Sequence, residues 1–189
     1  MKVGLFFGSF NPIHIGHLII ANYMANNSDL DEVWFMVTPQ NPLKNQRSLL
    51  NEYDRLEMVR IAIGDNPKLR ASDFEFNLPR PSFTIDTLVR LKEKHPDYQF
   101  ALIMGSDTIN TLPKWKNYEE IISNYEVYAY PRPEADITLK FNNLRVMENT
   151  PVMKISASFI RRSIRNKRSI QYMVPHGVFE YINKWGYYQ

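Results

Sequence analysis

The sequence predicts a doubly wound α/β fold, a parallel β-sheet with helices on both faces. Strand-like and helix-like segments alternate along the 189 residues. The strand-like runs at residues 3–7, 33–37 and 100–104 are apolar without polar alternation, the pattern of strands covered on both sides. The first run ends in a small-residue turn that leads into a helix, at the strand end where such sheets bind ligands.

Each element has its own signal. After the strand at 3–7, the apolar stretch at 18–26 reads as a helix, and 33–37 as a second strand. Tyr53, Leu56, Val59 and Ile63 recur at helical spacing, with Asn51 placed to cap that helix and Asp54 in its first turn. Residues 69–76 suggest a strand, and 84–94 a helix carrying Ile85, Leu88 and Leu91 on one face. The buried strand at 100–104 precedes a short helix ended by Pro113, another helix around 118–122 and a strand at 126–130. Residues 131–150, with Pro131 and Pro133, read as an irregular excursion. A last strand is expected at 152–155, a helix at 158–164, and a closing helix with Val178, Ile182 and Trp185 buried.

Composition narrows the classes. With 44% hydrophobic and 23% charged residues, the chain suits one well-cored domain, 1–189, whose residues 155–189 form a small C-terminal helical portion. No apolar run has bilayer length and the N-terminus lacks signal-peptide features, so a cytoplasmic protein without membrane attachment is expected. The absence of cysteine excludes disulfides, thiolate nucleophiles and cysteine-based zinc sites. Net charge is only +3, but Arg161, Arg162, Arg165, Lys167 and Arg168 crowd one segment as a candidate anion surface.

The residues that carry chemistry lie at 8–17, Gly-Ser-Phe-Asn-Pro-Ile-His-Ile-Gly-His. A helix start offers unpaired amides and partial positive charge to phosphate oxygens. Gly8 permits a tight turn, Ser9 offers a hydroxyl and an amide, Pro12 stiffens the loop, and Gly16 allows close approach. His14 and His17, three apart, can point at one anion from adjacent helical turns. Zinc would compete for two histidines, but no cysteine exists and no carboxylate stands nearby at ligand spacing, so no metal-ligating residue is expected. A second strand-to-helix junction at 155–161, Ile-Ser-Ala-Ser-Phe-Ile-Arg, combines a serine cap at Ser156 or Ser158 with Arg161 one turn in, able to fork onto phosphate.

The first motif resembles the (T/H)xGH signature of the nucleotidylyltransferase superfamily, and residues 155–161 resemble its ISxTxIR motif. Within it the chain is similar over nearly its full length to the bacterial nicotinate-nucleotide adenylyltransferases. Supporting segments stand in family order at 38–44, 81–84, 105–107 and 112–115. The resemblance implies a Rossmann-like fold and transfer of AMP from ATP, carried with Mg²⁺, to nicotinate mononucleotide in NAD biosynthesis. It implies that His17 and His14 are catalytic and that Gly8, Ser9, Phe10, His14, Gly16, His17, Ser158 and Arg161 bind ATP, the C-terminal portion completing the ATP site. It further implies that Lys44, Thr84, Asp107 and Trp115 bind substrate. Three positions depart from the pattern: Asn11 stands for the usual aspartate, Ser158 for threonine, and Pro42-Leu43-Lys44 lacks the loop histidine.

Nicotinamide mononucleotide and phosphopantetheine are the alternative acceptors within the superfamily. A nucleic-acid-binding module built on residues 161–168 is the alternative from another class; the modest net charge turns against it, and no nucleic-acid partner is expected. A homo-oligomer is compatible with the sequence.

Overall fold

The computed structural model describes residues 1–40, 49–133 and 135–189. Six parallel strands form one sheet in the order β3-β2-β1-β4-β5-β6, so the strand order reverses between β1 and β4. The strands are β1 (Lys2–Gly8), β2 (Glu32–Val37), β3 (Leu69–Ser72), β4 (Gln99–Gly105), β5 (Glu126–Tyr130) and β6 (Leu144–Val146). Between and after them run α1 (Ile15–Asn27), α2 (Glu52–Ile63), α3 (Thr84–Lys94), α4 (Ser106–Ile109), α5 (Tyr118–Asn124), α6 (Ala157–Arg165) and α7 (His176–Trp185).

The apolar strands of the sequence are explained by two cores. Side chains alternate across a strand. Phe6, Phe35, Ile103 and Tyr128 therefore pack on one face with Met24 of α1, Val59 of α2 and Ile182 of α7. Leu5, Met36, Leu102 and Val127 pack on the other with Leu88 and Leu91 of α3 and Ile121 of α5. Both faces are covered, so neither alternate position carries a polar residue.

Local signals set several boundaries. The Asn51 side chain accepts the Tyr53 amide at 2.8 Å, capping α2 as expected. Several expectations are corrected. The short helix after β4 ends at Ile109, and Pro113 lies inside a separate 3-10 turn, Leu112–Lys114, rather than at the helix end. The segment 69–76 is a strand only to Ser72 and then tightens into a 3-10 turn, Phe74–Asn77. The sixth strand is not at 152–155 but at Leu144–Val146, inside the excursion, where it pairs with β5; residues 152–155 belong to no strand. Trp185 is 57% exposed whereas Val178 and Ile182 are buried. A tryptophan in the last turn of a helix can overhang the core edge, and periodicity alone cannot see that edge. No described helix is long and apolar enough to cross a membrane.

Candidate functional site

The site opens where the strand order reverses. β1 and β4 pair with each other only from Lys2–Gln99 to Leu5–Leu102, while their last residues, to Gly8 and Gly105, pair with β2 and β5 on their outer sides. A crevice therefore forms at the carboxyl end of the sheet, and the first motif leaves β1 into it.

The motif is held by packing and by one buried cation. Phe10 takes φ +44 and is 2% exposed, its ring lying edge-on to Phe6, Phe35 and His17. A Cβ on Gly8 would stand 2.8 Å from that ring, so the glycine makes room for Phe10. Phe10 can thus offer a ligand only its backbone. Beneath the loop, the fully buried Arg55 of α2 donates to four carbonyl oxygens: Ser9 at 2.6 Å, Thr38 at 2.8 Å, Leu50 at 2.9 Å and Pro39 at 3.1 Å. Burial lowers its pKa to about 10, which still leaves it cationic at neutral pH. Arg55 ties the ends of β1 and β2 to α2 and adds positive potential under the crevice.

The helix begins three residues earlier than its apolar run suggests, at Ile15, so His14 is its N-cap and His17 lies in the first turn. Their rings stack, with centroids 3.7 Å apart and planes 20° apart. The His14 amide donates to Nδ1 of His17 at 3.2 Å, so Nδ1 is an acceptor and the ring's N–H lies on Nε2, as a directed donor. The His17 amide turns to the His14 carbonyl at 3.0 Å, and His14 Nδ1 stays buried without a hydrogen-bond partner. Burial, with Arg132 nearby, lowers the His14 pKa to about 4, so this ring is neutral at physiological pH. The helix start is not wholly open: Met173 accepts the Ile15 amide at 3.1 Å.

The second motif meets the first directly. Ser156, rather than Ser158, caps α6, accepting the Phe159 amide at 3.2 Å. Ser158 is exposed in the first turn. A Cβ on Gly16 would come within 2.9 Å of Ile155 Cγ2 and 3.1 Å of His14 Nδ1, so Gly16 lets the two motifs touch. Arg161 reaches back to donate to the Asn11 carbonyl at 2.7 Å, while its buried Nε has no partner. The basic run of 161–168 therefore has separate uses: Arg161 turns inward, and Arg162 and Arg165 are exposed in the last turn of α6, where cations suit the helix dipole.

Other expected residues lie on the same carboxyl-end rim. Asp107 lies in the first turn of α4 after β4, exposed, 3.9 Å from Nε of Arg132. Thr84 is the first residue of α3, and Trp115 ends the turn Leu112–Lys114 with its indole nitrogen buried and unpartnered. Lys116 joins these two segments, bonding Asp86 of α3 at 2.9 Å and lying over the Phe83 ring. Behind Thr84, the buried Glu75 accepts from Thr87 at 2.7 Å, and burial pushes its pKa up. Lys44 lies outside the described residues.

Residues that sequence reasoning missed are Arg55, Arg132 and Tyr188. Arg132 stands just after β5, its amide held by Ser106 Oγ at 2.8 Å and its guanidinium over the Tyr130 ring. The rule that ligands gather at carboxyl ends of strands points to it. Nothing in the sequence singles out Arg55, which looks like a surface arginine on a helix, or Tyr188, near the chain end.

Fold and site together define a nucleotide-handling α/β protein of the nucleotidylyltransferase class. The model of the cytidylyltransferase-like family matches residues 5–163. The chain is 52% identical over the whole of both sequences to a probable nicotinate-nucleotide adenylyltransferase of Flavobacterium psychrophilum. It is 50% identical to one from Cytophaga hutchinsonii, over all of this chain and 98% of that one. The chain belongs to the nicotinate-nucleotide adenylyltransferases. A solved structure of the Plasmodium falciparum nicotinic acid mononucleotide adenylyltransferase, complexed with NaAD, has the same fold, with a TM-score of 0.82 at 22% identity over 99% of this chain and 97% of that one.

Proposed function

We propose that the crevice transfers the adenylyl group of ATP to nicotinate mononucleotide, giving nicotinate adenine dinucleotide and pyrophosphate. The observation that carries the reading is the meeting of two cationic or N–H-bearing motifs over one strand-order crossover, with His14 Nδ1 and Arg161 Nε buried and unpartnered. Buried polar groups are ordinarily satisfied, so such open atoms ask for a ligand. The names of the close relatives support the acceptor.

A phosphate oxygen of the mononucleotide attacks the α-phosphorus in line, a new P–O bond forms, and the bond to the β-phosphate bridging oxygen breaks with pyrophosphate leaving. No side chain is covalently modified, so catalysis is positioning and charge stabilisation. His17 donates from Nε2 to the developing charge, and neutral His14 orients His17 and faces the same phosphates. Gly8, Ser9, Phe10 and Gly16 line the loop through their backbone. Arg161 and Ser158 grip the distal phosphates, and Arg132 faces them from β5. Thr84 and Trp115 hold the pyridine ring, Asp107 serves the nucleotide pocket, and the family pattern assigns Lys44 to the phosphates or the mononucleotide.

The donor set is imidazole, guanidinium and amide, with Asp107 the nearby carboxylate, and the described residues contain no group of three or more potential ligands. That chemistry fits Mg²⁺ entering on the ATP phosphates rather than in a protein cage. The ion supplies charge neutralisation on the phosphate oxygens. An ATP-consuming enzyme of this kind fits the cytoplasm.

The test is pyrophosphate release with ATP and each of nicotinate mononucleotide, nicotinamide mononucleotide and phosphopantetheine. Fast turnover with the first is expected. Turnover confined to either of the others would overturn the acceptor assignment.

A further inference from the structure

The end of the chain is folded against the proposed triphosphate site by a specific route. Helix α7 stops at Gly186, which takes φ +65, while the Tyr187 amide donates back to the Ile182 carbonyl at 3.1 Å. This is a Schellman-type stop, and it needs the left-handed conformation that glycine adopts freely. The chain therefore reverses. Tyr187 returns toward Asp54 of α2, its ring 5.9 Å from that of Tyr181. Tyr188 goes further, and its hydroxyl donates to Asn11 Oδ1 at 2.8 Å.

Asn11 is where these contacts converge. Its Oδ1 also accepts the Leu50 amide at 3.2 Å, and its main-chain carbonyl accepts Arg161 Nη1 at 2.7 Å. The Tyr188 side chain thus fixes a motif residue that in turn fixes a guanidinium. Arg161 is held at one corner and keeps its buried Nε open, a geometry set to receive an anion. The Asn11 side-chain oxygen thus accepts two donors from distant segments, the Leu50 amide and the Tyr188 hydroxyl.

We propose that Tyr188 is a positioning residue of the ATP site, holding Asn11 so that Arg161 stays turned toward the distal phosphates. This rests on the reading above that Arg161 grips ATP. Tyr188 does not touch the reacting atoms; it acts through Asn11.

The test is Tyr188→Phe, which keeps the ring and removes the donor. The dissociation constant for ATP is measured by calorimetry without acceptor, beside KM for both substrates. We expect ATP binding and KM for ATP to weaken about 5–10-fold, the scale of one lost hydrogen bond, with the acceptor KM changed less than about twofold. In an Arg161→Ala background the same substitution should cost ATP binding nothing further, because both changes break one chain of contacts. Tyr187→Phe is the control for a merely structural tail: it should lower Tm and leave ATP binding unchanged. A polyfluorinated tyrosine at position 188, which preserves the ring while altering donor strength, repeats the measurement should the phenylalanine variant fold poorly; it should change ATP binding and not Tm. Unchanged ATP affinity in both Tyr188 variants, or an undiminished penalty in the Arg161→Ala background, overturns the proposal. Failure of the acceptor assignment shows separately, because the calorimetric readout contains no acceptor.

Discussion

His14 makes the apoprotein sensitive to acid, and the size of the effect can be worked out. Burial, together with Arg132, holds its pKa at about 4 against an ordinary value of 6.5. The residue is 4% exposed, so solvent does little to screen the difference. Above about pH 7.5 the ring is neutral in both folded and unfolded chains and contributes no pH dependence. As pH falls through 6.5 the unfolded chain takes up a proton that the folded chain refuses, so stability is lost on acidification until the folded pKa is reached. At pH 5 the loss is about 2 kcal/mol, rising to about 3 kcal/mol near pH 4. The perturbation is His14→Gln, which removes the titration. The assay is urea unfolding of wild type and variant at pH 8 and pH 5. Carboxylates that titrate in the same range are common to both proteins and cancel in the difference. Wild type should lose about 2 kcal/mol more than the variant between the two pH values. Parallel losses would refute the buried, neutral His14 and with it the assignment of its ring as an uncharged partner of the phosphates.

Three further outcomes follow from the same geometry. His17→Ala should lower turnover by roughly 10²–10³ with the fold intact by circular dichroism, the cost of one preorganised donor; near-wild-type turnover would remove His17 from catalysis. Gly16→Ala should destabilise by about 1–3 kcal/mol and weaken ATP binding, because its Cβ would meet Ile155 at 2.9 Å and press on His14. Adding Ile155→Ala should recover part of both in denaturation and binding measurements. Arg55→Met should cost about 3 kcal/mol or more in urea unfolding, since four carbonyls lose a shared buried donor; a loss below about 1 kcal/mol would show that the loop is held by other contacts.

α3 was legible to the residue, because its apolar face at Ile85, Leu88 and Leu91 and its flanks agree. α1 starts three residues before its apolar spacing predicts, because the helix begins in a polar motif whose first turn is set by His14 and His17. β6 escapes hydrophobic periodicity because a three-residue edge strand, with two of its residues exposed, leaves almost no hydrophobic signature. The opposite held for 152–155, where apolar residues suggested a strand that finds no partner in the sheet.

By itself the sequence determined the α/β class, the two motifs and the family, since these rest on local periodicity and on short runs whose chemistry is read residue by residue. Tertiary structure alone decided how those motifs work together. Gly16 accommodates Ile155, Arg55 gathers carbonyls from two strand ends, and Tyr188 reaches Asn11 across 177 residues of chain. Such contacts depend on where distant segments come to rest once both faces of the sheet are covered, and that placement is a property of the packed whole rather than of any local stretch.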